Sequence, residues 1–122
     1  MNIQETELEG VLLLEPTVFG DHRGFFMESY TKKKFEEMGL SYDLIQDNHS
    51  LSSESGTLRG LHYQTNPMAL TKIVRCTRGG ILDVVVDIRK GSPTFGKWIS
   101  AKLTAEIIIA DTNDIIFRIY SP

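Results

Sequence analysis

The stretch that decides the fold runs from Lys72 to Arg89 and reads KIVRCTRGGILDVVVDIR. Apolar and polar residues alternate in Lys72–Thr77, which predicts a strand, and Ile81–Arg89 predicts a second strand. The Arg78-Gly79-Gly80 segment between them is typical of a β-hairpin turn. The single cysteine, Cys76, lies in this stretch, where a packed thiol is the usual state. The stretch therefore predicts antiparallel β-structure.

Shorter strand-like runs, separated by turns rich in Gly, Pro and Asn, lie on both sides of this stretch. They are Val11–Leu14, Phe25–Tyr30, Leu44–Ser50, Leu58–Gln64 and Phe95–Leu103, the last with Trp98 as an expected core anchor. A short surface helix is predicted over Thr31–Gly39, with a capping threonine and a terminal glycine. Many short strands and one short helix predict an all-β protein, an antiparallel barrel or sandwich.

Composition limits the classes of function. A chain of 122 residues with 41% hydrophobic and 24% charged residues is expected to form one globular domain. A net charge of −3 and a pI near 5.6 argue against a general nucleic-acid-binding surface. The apolar runs are too short to cross a bilayer. With a single cysteine and no signal-peptide pattern, we expect a cytoplasmic protein that binds neither nucleic acid nor membrane.

The residues best suited to catalysis or binding lie in Leu58–Gln64. This run combines a base (His62), a cation (Arg59), an aromatic ring and an amide. In a regular strand His62 and Arg59 lie on opposite faces. A bulge at Gly60 is able to bring both towards one cleft. The alternative interpretation is a half-buried strand whose histidine is simply hydrogen-bonded, and this run by itself leaves both open.

Five blocks of the sequence together resemble one enzyme family. They are Asp21–Glu28 (DHRGFFME), Gln46–Ser50 (QDNHS), Leu58–Gln64 (LRGLHYQ), Lys72–Arg75 (KIVR) and Asp83–Gly96 (DVVVDIRKGSPTFG). In this order and spacing they resemble the dTDP-4-dehydrorhamnose 3,5-epimerases, dTDP-sugar epimerases with a cupin-like jelly roll. The resemblance covers about residues 3–106 and implies that fold here.

The resemblance also implies a reaction and roles for individual residues. The family inverts C3 and C5 of a dTDP-linked 4-keto-6-deoxy sugar. His62 matches the family's general base, and Lys72 matches the lysine placed near the C4 oxygen. The family's substrate-binding positions correspond to Arg23, Glu28, Gln46, Asp47, Asn48 and Arg59. In the family, a homodimer partner supplies part of the nucleotide pocket through residues matching Glu28 and the segment around Arg23.

We expect no metal and no cofactor. Many cupins bind a metal through a His-x-His pair, but His62-Tyr63-Gln64 lacks the second histidine, and His22 and His49 are distant in sequence. The sequence has no Gly-rich phosphate loop and no dinucleotide fingerprint, so no nicotinamide is implied.

After Leu103–Glu106 the sequence departs from the family pattern, which continues with a second histidine, a tyrosine proton donor and an acidic partner of the catalytic histidine. We therefore expect an epimerase domain, residues 1–106, that lacks the last strands of the family, and a divergent tail, residues 107–122. In the tail, Ile107–Ala110 and Ile115–Pro122 predict a β-hairpin with a turn at Asp111–Asp114. Two alternatives follow: an inactive remnant that binds dTDP-sugar or self-associates, and a single-carbon epimerase or ketoisomerase.

Overall fold

The computed structural model describes residues 1–65 and 67–111 and the backbone of residues 118–121. This part of the chain is nearly all β-structure with one short helix, which confirms the predicted fold class. Its elements are β1 (Asn2–Glu5), β2 (Val11–Glu15), β3 (Val18–Asp21), β4 (Gly24–Met27), α1 (Lys32–Glu37), β5 (Lys72–Arg75), β6 (Ile81–Val86), β7 (Trp98–Leu103), β8 (Ile108–Asp111) and β9 (Arg118–Ser121). Within the described residues, no helix is long and apolar enough to cross a membrane.

The strands form three antiparallel sheets. A four-stranded sheet has the order β1-β2-β8-β5, a three-stranded sheet has the order β7-β6-β9, and β3 and β4 form a separate hairpin. The first two sheets pack face to face as a sandwich. Val11 and Ile109 of one sheet lie in the same buried cluster as Val85 and Leu103 of the other. Burying such a side chain contributes roughly 1.5–3 kcal/mol, so this cluster stabilises the packing of the two sheets.

The opposite face of the four-stranded sheet is covered by helix α1. Phe35 of the helix is buried against Leu14, Ile108 and Ala110. Since β2 and β8 are the central strands of this sheet and are covered on both faces, their sequences are continuous apolar runs rather than alternating ones. Helix α1 lies within the predicted range, and Gly39 ends the helical segment with a positive φ of 81°.

Cys76 is buried in the core between the sheets, which confirms the predicted packed thiol. The hairpin predicted around Arg78-Gly79-Gly80 is wrong, because β5 and β6 belong to different sheets. The segment between them carries the chain across the sandwich. Val74 and Cys76 on one side and Val85 on the other contribute to the same core. The alternation therefore predicted the strands correctly and their pairing incorrectly.

The predicted tail hairpin is also wrong. Strand β8 inserts between β2 and β5, whereas β9 pairs with β6 in the other sheet. Strand β8 takes a central position in its sheet because its apolar residues are buried there on both faces. Most of the predicted turn, residues 112–114, lies outside the described residues.

Two predicted strands are absent from the described structure. Residues 44–50 form no strand, and all their side chains are exposed, including those of Leu44 and Ile45, so no apolar face of this segment packs against the core. Residues 58–64 contain only an isolated bridge at Arg59, because Gly60 has a φ of 108° and leaves the extended conformation. Strand β4 ends at Met27 rather than Tyr30, and β1 and β3 had not been predicted.

Trp98 is not a core anchor, because 62% of it is exposed. On β7 the side chains of Ile99, Ala101 and Leu103 pack into the core between the sheets. Strand alternation then places Trp98 on the outer face, so the prediction chose the wrong face of a correctly identified strand.

A buried carboxylate organises the turn after β6. Asp87 accepts hydrogen bonds of 2.6 Å from the hydroxyls of Ser92 and Thr94, and it forms a two-point contact with Arg89. Burial raises the pKa of Asp87, but the hydrogen bonds from Arg89, Ser92 and Thr94 outweigh burial and bring this pKa well below its usual range. The turn depends on an ionised carboxylate.

Candidate active site

Arg23 lies in the turn of the β3–β4 hairpin and is held by Asp21. Its Nη2 donates to Asp21 Oδ2 at 2.6 Å, and its Nε lies 3.2 Å from both carboxylate oxygens. The backbone N–H of Arg23 also donates to Asp21 Oδ1 at 2.8 Å. Hydrogen bonds from the Arg23 side chain lower the pKa of Asp21. The guanidinium is nevertheless largely exposed, with 79% of the side chain accessible, so it is able to contact an anion.

Glu28 follows β4 and points to the helix. Its carboxylate lies 2.7 Å from the ammonium of Lys34. The hydrogen bond from Lys34, with a further one from Thr31, lowers the pKa of Glu28. This partner of Glu28 was not predicted, although the Lys32-Lys33-Lys34 run was visible in the sequence.

Three of the predicted binding residues lie in the exposed segment after the helix. Gln46 Nε2 donates to Asn48 Oδ1 at 3.1 Å, and Asp47 between them is exposed. Arg59 is linked to the following part of the same segment, because its Nε donates to Ser52 Oγ at 3.1 Å and its Nη2 donates to Leu51 O at 3.2 Å. The structure thus fixes the Arg59 guanidinium beside residues 51 and 52.

His62 is exposed and follows the positive-φ residue Gly60. The interpretation of His62 as a half-buried strand residue is therefore wrong. In the part of the chain that is described, neither a hydrogen bond nor an ion pair joins His62 directly to Lys72. The imidazole is accessible to a ligand from solvent.

Lys72 is the first residue of β5 and is half-buried. Strand alternation places Lys72 on the same face as Val74, which packs in the core between the sheets, and opposite to Ile73, which packs towards the helix. Its side chain therefore starts from the inner face of the sandwich.

Two buried carboxylates on this inner face were missed by sequence reasoning. Asp111 is fully buried at the end of β8 and pairs in register with Lys72. Burial raises the pKa of Tyr42, and the nearby Asp111 carboxylate raises it further. Asp83 is fully buried on β6, on the same side of the strand as the core residue Val85. The signal for Asp83 was available: it is a lone acid at an inward position of an otherwise apolar strand.

Within the described ranges, no three His, Cys, Asp or Glu side chains are grouped closely enough to hold a metal ion.

Comparison with known proteins assigns the family. The family model described as dTDP-4-dehydrorhamnose 3,5-epimerase matches residues 5–109, which include all eight predicted site residues. The chain belongs to the dTDP-4-dehydrorhamnose 3,5-epimerase family. Over 107 residues it is 58% identical to the dTDP-4-dehydrorhamnose 3,5-epimerase of Shigella flexneri, a match that covers 87% of this chain and 59% of the relative.

Solved structures of family members agree with this assignment. The epimerase from Bacillus anthracis, with TDP and PPi bound, superposes with a TM-score of 0.94 at 43% identity, covering 98% of this chain and 70% of that one. The Legionella pneumophila enzyme in complex with dTDP-4-keto-L-rhamnose gives a TM-score of 0.90 at 39% identity, covering 98% of this chain and 64% of that one. These alignments extend beyond residue 109, so they include part of the tail that the family model does not match. The chain spans about 59% of the length of the Shigella relative.

Proposed function

We propose that this chain catalyses epimerisation at C3 and C5 of dTDP-4-dehydro-6-deoxyglucose, giving dTDP-4-dehydrorhamnose for dTDP-rhamnose and surface polysaccharide synthesis. The observation that carries the proposal is the family match over residues 5–109, which contains each residue to which we give a role. The relative bound to dTDP-4-keto-L-rhamnose supports the choice of substrate class.

His62 is the general base in this proposal. Protons on C3 and C5 are acidic because each carbon is adjacent to the C4 ketone, and general-base assistance accelerates such a step by roughly 10²–10⁴-fold. A histidine suits this role because imidazole is the side chain that most often serves as a general base. The exposure of the imidazole supports the assignment, since the base must reach the sugar.

Lys72 stabilises the enolate. Removing a proton next to the ketone places negative charge on the C4 oxygen, and a fixed cation at that oxygen lowers the barrier. Among the described residues the Lys72 ammonium forms no ion pair, so its charge is available to an oxyanion.

The remaining predicted residues bind the nucleotide sugar. Arg23 and Arg59 carry forked donors suited to a diphosphate, and both are exposed. The polar groups of the sugar and of the nucleotide base are contacted by Glu28, Gln46, Asp47 and Asn48. No metal and no cofactor takes part in the proposed reaction.

We further propose that the chain works as a homodimer in the cytoplasm. The β3–β4 hairpin joins neither of the larger sheets, and Phe19, Phe25 and Phe26 on it are 65%, 70% and 71% exposed. A two-stranded hairpin is marginally stable alone in water, so a second copy that covers these rings accounts for their exposure. The hairpin then carries Arg23 towards the partner's pocket.

A second candidate is a chain that binds dTDP-sugar without turning it over. We keep it because the family model matches residues 5–109 and not the rest of the tail. Incubation of the purified protein with the 4-keto sugar in D₂O, followed by NMR, separates the possibilities. Deuterium at C3 and C5 with inverted product supports the epimerase, and deuterium at C3 alone indicates a single-carbon epimerase. Exchange without inversion means that the base works without a proton donor, and no exchange with retained dTDP binding supports the second candidate.

A further inference from the structure

Lys72 and Asp111 are cross-strand partners. In the antiparallel pairing of β5 with β8, Lys72 lies opposite Asp111, and Asp111 in turn lies opposite Val11 of β2. Residues directly opposite each other project from the same face of a sheet, with Cβ atoms about 4.5–5.5 Å apart. Val11 belongs to the core between the sheets, so this row of three residues lies on the inner face of the sandwich.

The Asp111 carboxylate holds the backbone of Lys72. Oδ1 of Asp111 accepts a hydrogen bond of 3.1 Å from the Lys72 N–H, and Asp111 is fully buried. The hydrogen bond is partly buried, so leaving this N–H without its acceptor is costly. The contact therefore fixes the first residue of β5 at the point where the chain enters the sheet.

The same contact leaves the lysine charge available. The carboxylate binds at the backbone of Lys72, and in the described part of the chain the Lys72 ammonium has no ion-pair partner. An aspartate is short, whereas the lysine side chain has four methylene groups. The acid therefore determines where the lysine starts without neutralising the ammonium at its tip.

We propose that Asp111 is a positioning residue for Lys72, and that the tail strand β8 thereby contributes to the active site. This inference rests on the proposed role of Lys72 as the enolate stabiliser. A misplacement of about 1 Å is able to cost about 10²-fold in rate, so a contact that acts only through the backbone is sufficient to affect catalysis.

The test compares Asp111→Ala with Asp111→Asn, which keeps the Oδ1 acceptor and removes the charge. We expect Asp111→Ala to slow deuterium incorporation by about 10- to 100-fold through kcat, with KM changed little, and Asp111→Asn to restore the rate to within about threefold of the original. Ile109→Val is the matched control, because it lies on the same face of β8 and makes no polar contact with Lys72. Each rate is divided by the folded fraction of the variant, which is measured by circular dichroism. A loss of stability is then not counted as a loss of activity.

Two further measurements keep the inference separate from the proposed function. Amide hydrogen exchange at Lys72 should quicken at least about tenfold in Asp111→Ala and not in Asp111→Asn or Ile109→Val, because the N–H loses its acceptor only in the first. The Lys72 amine is also acetylated with a water-soluble anhydride, and the product is followed by mass spectrometry. The rate of this acetylation should differ from that of the unmodified protein only in Asp111→Ala. If the unmodified protein incorporates no deuterium, the proposed function fails, and these two measurements still decide whether Asp111 positions Lys72. Unchanged amide protection and unchanged acetylation in Asp111→Ala overturn the inference.

Discussion

Asp21 and Arg23 form a forked ion pair in the turn of the β3–β4 hairpin, with Nη2 of Arg23 2.6 Å from Oδ2 of Asp21. The side chains of Arg23 and Asp21 are 79% and 46% exposed, so the pair does little for stability. It orients the planar guanidinium while leaving donors free. This geometry suits the binding of a diphosphate, because Asp21 already orients the guanidinium of Arg23.

We expect Arg23→Lys to weaken dTDP binding by about tenfold, because an ammonium is a point charge and cannot present two parallel donors. Isothermal titration calorimetry with dTDP measures the change. Arg78→Lys is the control, since Arg78 is exposed in the loop between β5 and β6 and has no proposed contact. Equal affinities for Arg23→Lys and the unmodified protein would rule out a forked contact by Arg23.

His62→Ala should reduce deuterium incorporation at C3 and C5 by about 10²–10⁴-fold, the usual contribution of a general base. Affinity for dTDP should stay within a few-fold, because the imidazole acts on the sugar. The assay is NMR of the substrate in D₂O, with His49→Gln as the control at a second exposed histidine. Incorporation at the normal rate in His62→Ala removes His62 from the mechanism.

Lys72→Met should lower kcat by about 10²–10³-fold with a small change in KM, because the ammonium is needed mainly when charge develops on the C4 oxygen. Steady-state kinetics with the 4-keto sugar gives both constants. Lys102→Met is matched to it, since Lys102 is an exposed lysine on strand β7. A change confined to KM contradicts enolate stabilisation and indicates binding alone.

The Asp87 turn predicts how stability depends on pH. Since the folded-state pKa of Asp87 is depressed, its contribution is complete above the unfolded pKa of about 3.9 and is lost as pH falls below that value. Asp87→Asn should lower the free energy of unfolding by about 3 kcal/mol at pH 7, because a buried hydrogen-bonded charge is removed while its donors remain.

Urea denaturation at pH 7 and at pH 3.5 measures both effects. The difference between Asp87→Asn and the original protein should shrink at the lower pH. Ser100→Ala, at an exposed position of β7, is the control. A difference that is the same at both pH values contradicts a role for the ionised carboxylate.

The exposed rings of the hairpin predict the effect of substitution on assembly. Replacing Phe25 and Phe26 together by Ser should convert a dimer into monomers, because each buried phenylalanine contributes roughly 1.5–3 kcal/mol to the contact. Size-exclusion chromatography with light scattering gives the mass. Phe95→Ser is the control, since Phe95 is also exposed, at 58%, but lies in the turn before β7. A monomeric original protein, or a double variant that stays dimeric, contradicts a dimer formed through this hairpin.

Local pattern and motif determined much of this protein. Alternation identified β5, β6 and β7, the apolar run identified β2, and the Thr31–Gly39 pattern identified helix α1. These features depend on the side chains of a few neighbouring residues, which is why the sequence alone was sufficient. The five motif blocks likewise indicated the family that the comparisons assign.

Only the tertiary structure decided which strands pair and which carboxylates meet Lys72. The segment after Cys76 suggested a hairpin, yet β5 and β6 lie in opposite sheets, and Val74 of one and Val85 of the other pack in the same core between the sheets. Asp111 lies 39 residues from Lys72 in the chain, and only the insertion of β8 between β2 and β5 places them side by side. Pairing between distant strands depends on burial summed over the whole sandwich, and no local pattern encodes it.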